Sequence, residues 1–308
     1  LEARIKKVDI SMTQAVAPTR AALTILAGMA VLGLSDNFIL YITDASSLWQ
    51  FHLLRSIVAL AVILGVAAMG LGVIRPKRFG AVAARSGIQG VSMLIYFGCL
   101  AILPVGLVVA GFFTAPLFVA LIAAVFQGKR ITPLHAFAIV LGFAGALLVI
   151  RPDSANLELV AFLPIVAGLC YAIGAVATRA WCEGEGTLSL TAGFFVVLAL
   201  MGVVGCLVFP AVGAGADGFA SRGWMPLNAR IFFWIALQAI GTLIGIMCLF
   251  RGYQIGEASV VAVFEFSLLI FASGWAWYLW DQTIAPLALF GMSLIVASGA
   301  VIALRKTS

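Results

Sequence analysis

The chain has 308 residues, of which 64% are hydrophobic and only 10% charged, with a formal net charge of +6 and a mean hydropathy of +1.18. A soluble domain carries about 25% charged residues, so this composition excludes a wettable globular surface and indicates an integral membrane protein. The positive residues stand singly between apolar runs, which excludes a nucleic-acid-binding patch. Many of the runs approach the roughly 20 residues of a membrane helix, and barrel strands are about half that length.

Taken in order, the apolar stretches predict ten transmembrane helices, at about 18–41, 47–71, 86–103, 105–126, 133–150, 158–180, 188–211, 229–250, 257–280 and 284–304. Residues 1–17 are polar and basic and are expected as a cytoplasmic segment before a first span that is retained. The longest loop, Gly213–Asn228, is Gly-rich and too short for a domain. Five cysteines (Cys99, Cys170, Cys182, Cys206, Cys248) fall mostly inside spans, form no CxxC pair and are accompanied by only two His. They are expected as small packing residues, with no metal site, disulfide or cofactor.

Lys and Arg set the orientation, because they concentrate in cytoplasmic segments. With the N-terminus inside, Arg4, Lys6, Lys7, Arg20, Arg75, Lys77, Arg78, Arg85, Lys129, Arg130, Arg179, Arg251, Arg305 and Lys306 are cytoplasmic. Arg151, Arg222 and Arg230 are outside, and Arg55 lies within a span. Both termini are therefore expected to be cytoplasmic. Ten spans divide into two units of five, 18–151 and 158–305, and an odd number per unit inverts the second copy.

A stripe at helical spacing supports the duplication. Gly106, Ala110, Phe113, Leu117, Ala120 and Ala124 correspond, 152 residues later, to Ala258, Ala262, Glu265, Leu269, Ala272 and Ala276. One position changes kind, from Phe113 to Glu265. Inverted repeats of this sort are common in secondary transporters, whose sites lie near mid-membrane between the repeats.

The sequence Thr114-Ala115-Pro116-Leu117-Phe118, followed by Gln127-Gly128-Lys129-Arg130, resembles the EamA branch of the drug/metabolite transporter superfamily. So does Ala262-Val263-Phe264-Glu265-Phe266, which is similar to that family's Ala-Pro-Phe-Glu-Tyr, with Ser298-Gly299 and Arg305 closing the second copy. Lys129, where the family usually has Glu, and Trp280-Asp281 depart from the pattern at span ends. The resemblance implies a ten-helix exporter or exchanger of small metabolites with a central cavity, multi-pass in a bacterial inner membrane. It leaves the substrate open among amino acids, nucleosides, vitamins and cations.

Ionisable groups inside spans are expensive and tend to be paired or functional. Asp36 lies about 7 Å and Arg55 about 12 Å from the outer side, at 1.5 Å per residue. Two readings stand: a structural ion pair joining the first two spans, or Arg55 as the binder of a substrate carboxylate with Asp36 fixing its geometry. His52 shares the face of Arg55 (i, i+3), as a proton relay or as a packing residue. Glu265, about 12 Å from the cytoplasmic side, is either a hydrogen-bonded structural carboxylate or a substrate-ammonium or proton site. Tyr96, Phe113, Tyr171 and Trp275, with Phe112, Phe264 and Phe266, are candidates to line an amphiphilic cavity. Gln238 is a further polar candidate, as are Gln89, Ser92 and Thr242, while Trp49 and Trp280 suit the interfacial belt.

No GxSxG, HExxH or Walker A sequence occurs, so an enzyme or ATP-driven pump is not expected. The reading is an alternating-access exporter or exchanger of amino acids or related amphiphilic compounds. Its partners are a small-molecule substrate, the lipid bilayer and candidate coupling protons, with no nucleic acid, as a monomer or dimer. The alternatives are an importer or exchanger of a nucleotide-like or cationic metabolite, and a membrane scaffold or enzyme without transport.

Overall fold

The computed structural model describes residues 2–43, 45–99, 103, 105–127, 131–150, 159–209, 218–219 and 221–304. Gly128, Lys129, Arg130, Arg151, Arg305, Lys306 and most of the first half of the Gly213–Asn228 loop lie outside them.

All regular structure among the described residues is helical. The first half contains α1 (Glu2–Asp36), the short α2 (Leu40–Thr43), α3 (Leu48–Ala68), α4 (Phe79–Cys99), α5 (Val105–Phe112), α6 (Ala115–Gln127) and α7 (Pro133–Ile150). A 3-10 turn at Leu159–Phe162 leads into α8 (Leu163–Ala180). Then come α9 (Thr187–Val208), α10 (Ala229–Ile255), α11 (Ala258–Glu265), α12 (Ser267–Trp280) and α13 (Pro286–Leu304). Eight of the stretches are long and apolar enough to cross a membrane. The chain is a multi-pass membrane protein.

The ends of the helices follow from local chemistry. Ser47 caps α3 by accepting from the Gln50 amide at 3.2 Å, and Asn228 caps α10 by accepting from the Ile231 amide at 2.9 Å. Helix α4 differs from the expected 86–103. It begins at Phe79, so Arg85, expected at the membrane surface, is carried inside the helix and buried. Its buried face is polar (Arg85, Ser86, Gln89, Ser92) and packs on α8 and α9; the expected start at 86 follows from Arg85, a charge that hydropathy sets outside a span.

The two stripe-bearing spans are not continuous. Helix α5 ends at Phe112 and α6 starts at Ala115. Pro116 has no N–H to bond back to the Phe112 carbonyl, and Thr114 Oγ1 instead donates to the Gly111 carbonyl at 2.6 Å. Helix α11 ends at Glu265 and α12 starts at Ser267 without a proline; there Ser267 Oγ donates to the Phe264 carbonyl at 2.6 Å. The breaks stand at corresponding places in the two halves, beside the stripe residues Phe113 and Glu265; the second is slight, since Phe266 between α11 and α12 keeps helical dihedrals.

Small residues set the closest crossings. At α7 against α13, a Cβ on Gly145 would lie 2.5 Å from the Gly291 carbonyl, and one on Gly291 would lie 2.6 Å from the Gly145 carbonyl. The backbones therefore touch, as small residues allow in membrane bundles. Ser298 Oγ adds a bond to the Ala138 carbonyl at 2.6 Å across the same pair.

Candidate functional site

The helices surround one cavity, about 990 Å³ counted out to its mouth. Its walls come from α1, α3, α4, α8, α9 and α10, together with both interrupted helix pairs. Asp36 is exposed, whereas Tyr171, Phe194, Phe250 and Glu265 are buried. The cavity is thus open toward the Asp36 end and closed at the Phe250 end.

Of the residues expected from sequence, Asp36, Arg55, Tyr96, Phe113, Tyr171, Gln238 and Glu265 line this one space. His52 and Trp275 do not. His52 stands behind Arg55: Arg55 Nη2 donates to His52 Nδ1 at 3.0 Å, so the imidazole proton sits on Nε2. Trp275 Nε1 donates to the Ala30 carbonyl at 3.0 Å and ties α12 to α1.

Arg55 is held by rings as well as by His52. Its guanidinium carbon lies 4.7 Å from the centre of Phe51 and 5.8 Å from that of Phe97, distances at which a ring quadrupole stabilises a cation. Asp36 and Arg55 line the same cavity, but the side-chain hydrogen bond of Arg55 runs to His52. Arg55 lines the cavity, and its buried Nε has no acceptor among the described residues.

Glu265 ends α11 and lies at the second helix break. Tyr171 donates to its Oε2 at 2.8 Å, and Tyr253 donates to its Oε1. Each carboxylate oxygen thereby accepts one hydroxyl and keeps a second lone pair, and α8, α10 and α11 meet at this group. Tyr253 has no counterpart in the sequence expectation; it stands three residues after Phe250 on α10. Gln238 Oε1 and Thr242 Oγ1, one turn apart on α10, line the cavity without a hydrogen-bond partner among the described residues.

The apolar wall is aromatic. Tyr96 and Phe112 lie 4.7 Å apart, and Phe112 and Tyr171 5.3 Å, between ring centres. Met29, Leu32, Met93, Phe194, Ile246, Leu249 and Leu268 complete it. Sequence periodicity places such residues on helices without saying which face meets the cavity.

The comparisons follow this architecture. The model of the EamA-like transporter family matches residues 19–151. A pseudopaline exporter of Pseudomonas aeruginosa is 27% identical over 225 residues, 72% of this chain and 73% of its own. A riboflavin transporter of Brucella anthropi is 29% identical over 151 residues, 49% of this chain and 51% of its own.

Residues 19–151 of the chain are thus similar to the EamA-like transporter family.

A crystal structure that is 18% identical superposes with a TM-score of 0.75, covering 94% of this chain and 98% of its own, and carries the same fold. With relatives named as an exporter and a transporter, the chain is a membrane transporter of small molecules and not an enzyme.

Proposed function

We propose that this EamA-like protein is a secondary active exporter or exchanger of amino acids, or of related small amphiphilic metabolites, working by alternating access. The observation that carries the reading is the meeting of opposite charges in one aromatic-walled cavity: Arg55 for a carboxylate, Asp36 and Glu265 for an ammonium. A guanidinium presents a planar fork that matches a carboxylate. The ring wall and the buried amide and hydroxyl of Gln238 and Thr242 suit a compound that is apolar in part and polar in part.

Two inverted five-helix repeats, with both termini cytoplasmic in a bacterial inner membrane, are part of this proposal. The distribution of Lys and Arg supports the orientation. The packing supports the repeat: α1 lies on α10, and five spans on, α8 lies on α4. Likewise α4 lies on α9 and α10 on α3, while α3 with α9, α6 with α11 and α7 with α13 pair across the halves. The matched helix breaks add to this, since transporters of inverted-repeat type build their sites at interrupted helices. The named substrates of the relatives, pseudopaline and riboflavin, belong to those proteins; both names describe export or transport of a small molecule.

The test is flux in proteoliposomes across a panel of radiolabelled amino acids, riboflavin and a quaternary amine, with and without a pH gradient. Amino-acid flux lost in Arg55→Met is expected. Flux of other compounds only would overturn the amino-acid reading while leaving transport intact. No flux of any compound would favour a scaffold.

A further inference from the structure

A second cation lies behind the cavity wall. Arg85 is fully buried on α4, one turn before Gln89, which lines the cavity. Its hydrogen bonds and ring contact among the described residues are to neutral groups. Its Nε donates to Thr178 Oγ1 at 2.9 Å, its Nη1 to the Leu190 carbonyl at 3.4 Å, and its guanidinium carbon sits 3.7 Å from the centre of the Phe250 ring. Nη2 has no acceptor among the described residues. The hydroxyls of Ser86, next to Arg85 in the chain, and of Ser189, next to Leu190, are also buried without a partner among the described residues. A buried cation held only by dipoles and a ring is expensive, and such groups in membrane proteins mark pathways.

The position of Arg85 along the helices is the second observation. The closed end of the protein is fastened by Glu185, whose carboxylate accepts from the Lys77 amide at 3.0 Å and the Arg78 amide at 2.6 Å. The Glu185 carbonyl accepts from Gln254 Nε2 at 2.8 Å, and Gln254 Oε1 accepts from Thr187 Oγ1 at 2.6 Å. Four helices then carry the same three stations in the same spatial order. On α4 and the loop before it they are Arg78 at the fastening, Arg85, and Gln89 at the cavity. On α8 they are Tyr171 at the cavity and Thr178 at Arg85, with Glu185 just beyond the helix. On α9 they are Thr187, Leu190 and Phe194. On α10, Phe250 serves both cavity and Arg85, and Gln254 reaches the fastening. Arg85 therefore stands between the cavity and the closed end, and Phe250 is the partition: it lines the cavity and covers the guanidinium.

We infer that Arg85 is a second anion-binding subsite of the transport path, taking the carboxylate of the substrate when the Glu185 end opens and Phe250 swings off the guanidinium. The inference rests on the proposed reading of the cavity. Arg55 serves the open end and Arg85 the closed one, so a carboxylate finds a cation at each stage of passage.

The experiment uses the full chain in proteoliposomes and has two arms. In the first, flux of L-phenylalanine is compared with that of L-phenylalaninamide, which lacks the carboxylate. Arg85→Met should lower acid flux about ten-fold or more, the scale of a lost charge-assisted pair, and leave amide flux within about two-fold. Arg85→Lys, which keeps the charge, should preserve the fold and retain part of the acid flux. Equal loss of both fluxes, or no loss, overturns the inference. The second arm needs no transported substrate: phenylglyoxal adducts at Arg85 are mapped by mass spectrometry. Adducts should form several-fold faster in Phe250→Ala than in the parent and be suppressed by excess acetate. An Arg85 that stays unmodified in both proteins, or whose labelling ignores acetate, overturns the inference. If the parent protein carries neither phenylalanine compound, the amino-acid reading falls, and the labelling arm alone decides the role of Arg85.

Discussion

Replacing Glu265 separates its two readings, assembly and transport. Its carboxylate accepts hydroxyls from Tyr171 and Tyr253, so Glu265→Ala strands two buried donors on α8 and α10. In soluble proteins each stranded donor costs about 1–3 kcal/mol. Side-chain bonds between membrane helices measure lower, about 0.6 kcal/mol on average and about 1.7 at most, because the unfolded chain in lipid also finds partners. The expected loss for Glu265→Ala is therefore about 1–3 kcal/mol in total. Glu265→Gln has nearly the same size, accepts one hydroxyl and donates toward the other, so it should lose less than about 1 kcal/mol. Thermal melts in detergent, with a double-mutant cycle of Glu265→Gln and Tyr171→Phe, measure these values. Flux is then followed across about pH 5–8. The transport reading predicts that well-folded Glu265→Gln moves substrate slowly or loses its dependence on pH. Normal flux at every pH in folded Gln protein would refute a transport role. An unchanged melt in Glu265→Ala would refute the hydrogen-bonded geometry itself.

Asp36→Ala should melt within about 0.5 kcal/mol of the parent, because Asp36 is exposed and Arg55 is held by His52 and two rings; flux should fall, and a large loss of stability would restore the structural ion pair. Gly145→Ala should destabilise by about 1–3 kcal/mol, since its Cβ would lie 2.5 Å from a backbone carbonyl, whereas Gly274→Ala, where a Cβ meets nothing within 4 Å, should be neutral or stabilising. Equal melts for the two glycine variants would contradict the packing of α7 on α13. Cysteines placed at Phe79 and Ser221 should label from opposite sides, Phe79 from the cytoplasm; labelling of both from one side would overturn the proposed topology.

The sequence carried the membrane character, the approximate spans and the shortlist of ionisable groups, because each depends on local composition or on the cost of a charge in hydrocarbon. Runs of apolar residues report lipid whatever they pack against. Asp36, Arg55 and Glu265 stood out since few charges interrupt those runs, and the cavity does bring them together. The offset of 152 residues located Glu265 at a special place in the stripe, although not the reason, which is a helix end where two tyrosines converge. Arg85 reads from sequence as a surface charge, because the apolar run is taken to start just after it, at 86, whereas α4 begins at Phe79. Tertiary structure alone decided which helix faces meet. It set His52 behind Arg55 rather than in the cavity, bound Trp275 to the Ala30 carbonyl, and put Phe250 between Arg85 and the cavity. A helical period says which residues share a face; the neighbour that face receives is chosen by close packing with distant segments, at sites such as Gly145 and Gly291 where only the absence of a side chain lets two backbones touch.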